Sequence, residues 1–157
     1  QLPDLKDWQI SVVMLIGSAL NILAAYLASV IGKKYSALKL FPSVVLLTGV
    51  TYLFSYFGTP VIYILIYLIS NALYALFQPI FDNDLQKQLP SEVRATMLSV
   101  YSMMFSLSMI VIFPVTGWLI DHFGFDWTFI VLGGFLFAVT PFLHMGLKKI
   151  SQSLQEV

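Results

Sequence analysis

The chain has 157 residues, of which 59% are hydrophobic, 15% aromatic and only 10% charged, with a net charge of zero. A soluble domain carries about 25% charge, and so few charges cannot dress a water-facing surface of this size. The balance points to a membrane protein and gives a nucleic-acid partner no electrostatic support, while the absence of cysteine excludes disulfides and thiolate metal sites.

In chain order, residues 1–9 form a polar lead-in with Pro3, Asp4, Lys6, Asp7 and the interfacial-type Trp8. Residues 10–31 are uncharged and run into Gly32, Lys33 and Lys34. About 20 apolar residues cross a bilayer, so this is the first span. The second is 40–57, with Pro42 placed in its first turn, where a missing N–H costs little. A tight turn at Gly58-Thr59-Pro60 leads to the third span, 60–81. Asp82 to Arg94 reads as the longest and most charged loop. The fourth span, 95–120, is expected to kink at Pro114, with Gly117 giving room. Asp121 is expected to cap the turn that leads to the fifth span, 127–147, and a polar tail follows from Lys148. Apolar runs can also be buried soluble helices. Five of them at spanning length, separated by short charged loops, predict instead an all-α polytopic membrane helix bundle, one membrane domain over 1–157. Strands of a β-barrel would be shorter and would alternate.

Orientation follows from the cations. Lys33, Lys34, Lys39, Lys87, Arg94, Lys148 and Lys149 fall on one side, leaving only Lys6 of the eight on the other. The positive-inside rule makes the basic loops and the tail cytoplasmic. Residue 1 then lies outside, and at least one earlier helix is expected. An internal echo asks for the same helix. Ala25-Tyr26-Leu27-Ala28-Ser29-Val30-Ile31-Gly32 ends the first span and Gly117-Trp118-Leu119-Ile120-Asp121-His122-Phe123-Gly124 the fourth. Both read small, aromatic, Leu, any, polar, any, apolar, Gly, on opposite sides of the membrane. An inverted repeat of three helices produces that pattern, the first unit here having two.

Three stretches carry a family resemblance. Leu89-Pro90-Ser91-Glu92-Val93-Arg94-Ala95-Thr96 with Leu98-Ser99 is similar to the cytoplasmic loop entering helix eleven of major facilitator superfamily transporters, and Pro114, Gly117, Leu119, Asp121 and Gly124 to the end of that helix. Ala25, Leu27, Ala28, Gly32, Lys33 and Lys34 resemble the family's glycine-rich loop motif, with Ala25 for its leading Gly, Ser29 for its Asp and Val30 for its Arg. The chain thus resembles helices eight to twelve of the C-terminal half. The resemblance implies a secondary transporter of two rocking bundles, whose N-terminal half and helix seven lie outside this sequence. It also implies that the third span lines the cavity between them. The departures at Ser29 and Val30 remove the charge pair that the family's motif would use as a lock.

Read from the residues alone, the third span has the best-organised polar face. Tyr63, Tyr67, Asn71, Tyr74 and Gln78 are spaced by three and four and cover about a quarter of the helix circumference. Amides facing lipid are costly, so this face should meet protein or a watery cavity. One reading makes Tyr67, Asn71, Tyr74 and Gln78 substrate-binding. The other makes them helix–helix hydrogen bonds, with Tyr63 in an aromatic belt. Asn21 is the strongly polar group in the middle of the first span and a further binding candidate. The small pairs Ala24/Ala28 and Ala25/Ser29, and the serines Ser99, Ser102 and Ser106, read as helix packing. Arg94, Glu92, Asp82 and Asp84 form either a cytoplasmic gate latch or solvated topogenic charge.

No Asp, Glu, Lys or Arg falls within any of these spans, so a coupling carboxylate is expected elsewhere in the transporter. No nucleophile motif, phosphate loop or zinc motif suggests an enzyme, and no cofactor or metal is expected. A neutral aromatic and amide face suits small amphipathic compounds. The expected function is proton-coupled efflux of such compounds across the plasma or inner membrane. An uptake permease for a neutral solute such as a sugar, or a non-transporting receptor or scaffold, are the alternatives.

Overall fold

A computed structural model describes residues 7–153, with side chains described over 8–146. Lys6 lies outside the described residues, as do the side chains of Lys148 and Lys149. The described chain contains α1 (Asp7–Ile31), α2 (Ala37–Leu53), a 3₁₀ turn (Phe54–Phe57), α3 (Pro60–Gln88) and α4 (Arg94–Ser153), with no strand among the described residues.

The local boundaries follow from residue chemistry. α1 closes as the Gly32 N–H donates to the Ala28 carbonyl at 2.8 Å. α2 begins after Ser36, a residue type that commonly caps helices, yet the Ser36 side chain makes no capping bond. α2 begins earlier than expected, which puts Pro42 inside the helix and beyond the first turn. There it removes an N–H that the Leu38 carbonyl would otherwise receive. The 3₁₀ turn ends at Gly58 in the left-handed region (φ 57), whose N–H donates to the Ser55 carbonyl at 2.9 Å. Pro60 starts α3, where its lack of an N–H is harmless. α3 then runs beyond residue 81 to Gln88, so Asp82 and Asp84 are helical and the expected loop shrinks to 89–93. Nothing between Asp82 and Gln88 breaks a helix. Leu89 does stop it, being extended (φ −89, ψ 128) as the residue before Pro90.

α4 is assigned as 60 helical residues, about 90 Å at about 1.5 Å per residue, against a hydrocarbon core of about 30 Å. It is two helices joined at Gly124, whose φ 79 and ψ 170 are not helical. The contacts give the direction of each arm. Tyr101, early in the first arm, packs on Phe81 near the end of α3 (ring centroids 5.6 Å apart). Phe125, just past the break, packs on Tyr63 near the start of α3 (5.4 Å). The second arm then runs back along α2, with Phe129 against Tyr52 (5.0 Å) and Gly133 against Gly49. The arms are therefore antiparallel, and the expected turn at 121–126 is reduced to one glycine. Among the described residues four helices are long and apolar enough to cross a membrane, and the division of α4 at Gly124 makes five such segments. The chain is a multi-pass membrane helix bundle.

α1 packs on α3, and α2 packs on α3 and on the second arm of α4. A small core joins α1, α2 and α3 at their basic end, with Ala28, Ala37 and Ile80 buried and Leu40, Phe77 and Phe81 around them. Most side chains of the first arm of α4 are exposed.

Candidate functional site

α3 is helical through the whole polar stripe, so Tyr63, Tyr67, Asn71, Tyr74 and Gln78 share one side of it. Tyr63 is held by Phe125 near the chain reversal. Tyr67 and Tyr74 are 45% and 53% exposed, and Gln78 is exposed as well. Asn71 is half-buried, and its Nδ2 donates to the Tyr67 carbonyl at 2.9 Å, which leaves its amide oxygen as an acceptor. The stripe thus presents phenol rings and amide groups outward, and only Asn71 is bonded back to its own helix. Asp82 and Tyr74 are both near enough to Tyr101 to act on it electrostatically.

Asn21 lies on α1 in step with Gly17, Ala24 and Ala28, all three of them buried. Its Oδ1 is buried without a hydrogen-bond partner, as is Oγ of Ser70 on α3. A buried polar oxygen left unpaired costs about 1–3 kcal/mol, so these two positions are where this helix pair holds polar groups that packing alone does not explain. Other polar residues satisfy themselves locally. Ser18 donates to the Met14 carbonyl at 2.9 Å, Ser29 to Tyr26 at 2.7 Å and Ser106 to Ser102 at 3.0 Å. Ala24 and Ala28 are buried, as packing residues should be, whereas Ala25, Ser29, Ser99, Ser102 and Ser106 are exposed.

The charged residues at the basic end are divided rather than gathered. Arg94 Nη2 donates to the Leu89 carbonyl at 3.2 Å, and Glu92 is exposed. Asp84 reaches across from α3 and its Oδ2 accepts the Ala37 N–H at 2.7 Å. It supplies the cap that Ser36 does not, and its charge lies against the positive end of α2. Sequence reasoning missed this because the bond joins residues far apart in the chain.

At the other end, the residue of α4 that leaves helical geometry is Gly124, while Pro114 stays within the helix. Gly117 has no neighbour within 4 Å of where a side chain would begin, so no close helix approach depends on it. The bonds at the reversal come from residues other than Asp121, which is exposed. Thr128 Oγ1 donates to the Gly124 carbonyl at 2.8 Å, and Ser55 Oγ donates to the Asp126 carbonyl at 3.1 Å. Gly32 has the opposite character to Gly124. Its backbone is unstrained, but a Cβ there would meet Ile80 Cγ1 at 3.2 Å. No group of three or more His, Cys, Asp or Glu able to hold a metal occurs among the described residues.

Compared with models of protein families, the chain matches that of the Major Facilitator Superfamily over residues 4–153. The chain belongs to the Major Facilitator Superfamily. Comparison with curated proteins and with solved structures finds no match. Membership in the superfamily supports secondary transport as the general function.

Proposed function

We propose that this chain forms helices eight to twelve, in the C-terminal half of a superfamily transporter that exports small amphipathic compounds by alternating access, coupled to protons. The observation that carries the reading is the uncharged face of α3 on which Tyr67, Tyr74 and Gln78 are exposed and Asn71 half-buried, on the same helix pair as the unpaired Asn21 oxygen. Phenol rings take flat apolar or weakly cationic bodies, and the amides orient them. The coupling carboxylate belongs to the rest of the transporter. Basic loops face the cytoplasm in this reading, and the plasma or inner membrane is its site. Arg94, Glu92, Gly32, Pro114, Gly117, Asp121 and Gly124 make up the gating and structural motif in this reading.

The experiment is flux of a lipophilic cationic dye in membrane vesicles, with and without a collapsed proton gradient. Asn71→Leu combined with Gln78→Leu should lower flux about tenfold, the loss of two net hydrogen bonds, with membrane insertion normal. Unchanged flux would remove the stripe from the site. Flux indifferent to the gradient would remove proton coupling. Flux of a neutral sugar but of no dye would favour the uptake permease, because the same amides suit hydroxyl groups. No flux of any compound, with the bundle intact, would point to a receptor or scaffold.

A further inference from the structure

At the basic end of the bundle, the ends of α1 and α3 flank a half-open cavity of about 510 Å³. Its polar lining is Ser29, Lys33, Asn83 and Lys87, and Gly32 and Ile80 form part of its wall. The space exists because α1 presents small residues here. Gly32 has no side chain, and one would press on Ile80.

The charges around the cavity are unbalanced. Lys87 is in the last turn of α3 and Lys33 lies just past the end of α1, where the partial negative charge of helix ends attracts ammonium groups. Of the acids of α3, Asp84 is committed to the Ala37 N–H, and neither Asp82 nor Asp84 lines the cavity. Lys34 lies over the Tyr35 ring, 5.5 Å from its centroid, and is not part of the lining. Among the described residues neither Lys33 nor Lys87 has a carboxylate ion-pair partner. Two cations and an amide therefore share a hollow that holds no acid. An apolar wall lies beneath it, where the uncharged spans give way to water.

A compact anion with several acceptor oxygens and an apolar body fits this arrangement. A choline or ethanolamine headgroup does not, since its ammonium would meet two lysines and no carboxylate. We propose that this cavity is a phosphate-anion site that takes the headgroup of an anionic phospholipid, with Lys33 and Lys87 neutralising the phosphate and Asn83 donating to it. The site is separate from the α3 stripe and does not depend on the transport reading.

The test uses the purified protein in detergent micelles, with lipid retention read by native mass spectrometry and affinity by lipid-dependent thermal unfolding. Phosphatidylglycerol should be retained in preference to phosphatidylcholine. Lys33→Gln with Lys87→Gln should weaken phosphatidylglycerol binding about thirtyfold, at about 1 kcal/mol per cation near an anionic headgroup. Lys34→Gln should leave it unchanged. Asn83→Asp, which supplies the missing carboxylate, should also displace the lipid and serves if the double variant folds poorly. Millimolar inorganic phosphate that competes with the lipid confirms the phosphate chemistry and makes the soluble ion a second source. Failure to compete assigns the site to lipid alone. Equal retention of the two lipids overturns the proposal, as does equal loss in Lys34→Gln, which would mean general surface charge.

Discussion

Two helix pairs of this bundle are built in opposite ways. α2 and the second arm of α4 meet backbone to backbone. A Cβ on Gly133 would stand 2.7 Å from the Gly49 carbonyl oxygen, and one on Gly49 would stand 3.1 Å from the Gly133 oxygen. Tyr52 closes edge-on over Phe129, and Ser55, fully buried, ties to the Asp126 backbone. α1 and α3 meet more loosely. A Cβ on Gly17 would touch only side-chain ends, Leu68 at 3.4 Å and Tyr67 at 3.7 Å, Asn21 and Ser70 hold unpaired oxygens, and a cavity opens at the basic end. In lipid there is no hydrophobic drive between helices, so close packing is what holds a pair rigid. The difference teaches where rigidity lies. The glycine-lined pair is the scaffold, and the looser pair carries the polar stripe of α3 and Asn21.

The sharpest way to break this comparison is Gly133→Ala. The added methyl meets backbone that cannot turn aside, so the variant should lose about 2 kcal/mol or more in thermal unfolding. A stability equal to that of the parent would show the scaffold pair to be as yielding as the other. A smaller effect is expected from Asp84→Ala, which leaves the buried Ala37 N–H without its cap. The loss should be about 1 kcal/mol, with faster amide exchange in the first turn of α2, and Asp84→Asn should restore part of it by keeping an acceptor. If exchange there does not change, the Ala37 bond does not hold the helix start. The smallest effect belongs to Gly17→Ala. The added methyl meets the ends of Leu68 and Tyr67 at ordinary contact distances, and alanine is favoured over glycine in a helix by about 1 kcal/mol. Stability should therefore stay level or rise slightly. A drop like that of Gly133→Ala would erase the distinction between the pairs.

Much of this was legible in the chain. The five apolar helical segments could be read because a bilayer demands a fixed length of uncharged helix, and breaks in apolar sequence mark the ends. The shared side of Tyr67, Asn71, Tyr74 and Gln78 follows from helical spacing once the helix is granted. The α3 extension was not legible, since Asp82, Asn83 and Asp84 look like loop composition when counted alone. What keeps them helical is the absence of a breaker before Leu89-Pro90, together with a use for Asp84 on another helix. The sequence suggested Asp121 as a cap, but the bonds at the reversal come from Thr128 and Ser55, and the start of α2 is capped by Asp84. Capping by a residue of another helix leaves no local spacing to read.

The sequence by itself determined that the chain is a multi-pass membrane helix bundle, where its apolar segments lie and which face of α3 is polar. These depend on residue type and on separations of a few positions, which the bilayer and the helix convert directly into geometry. The tertiary structure alone decided that Gly124 reverses the chain, that Gly49 and Gly133 bring two backbones together, that Asp84 caps α2 and that Lys33 and Lys87 line one cavity. Each of these joins groups far apart in the chain or depends on a backbone angle, and a linear pattern encodes neither.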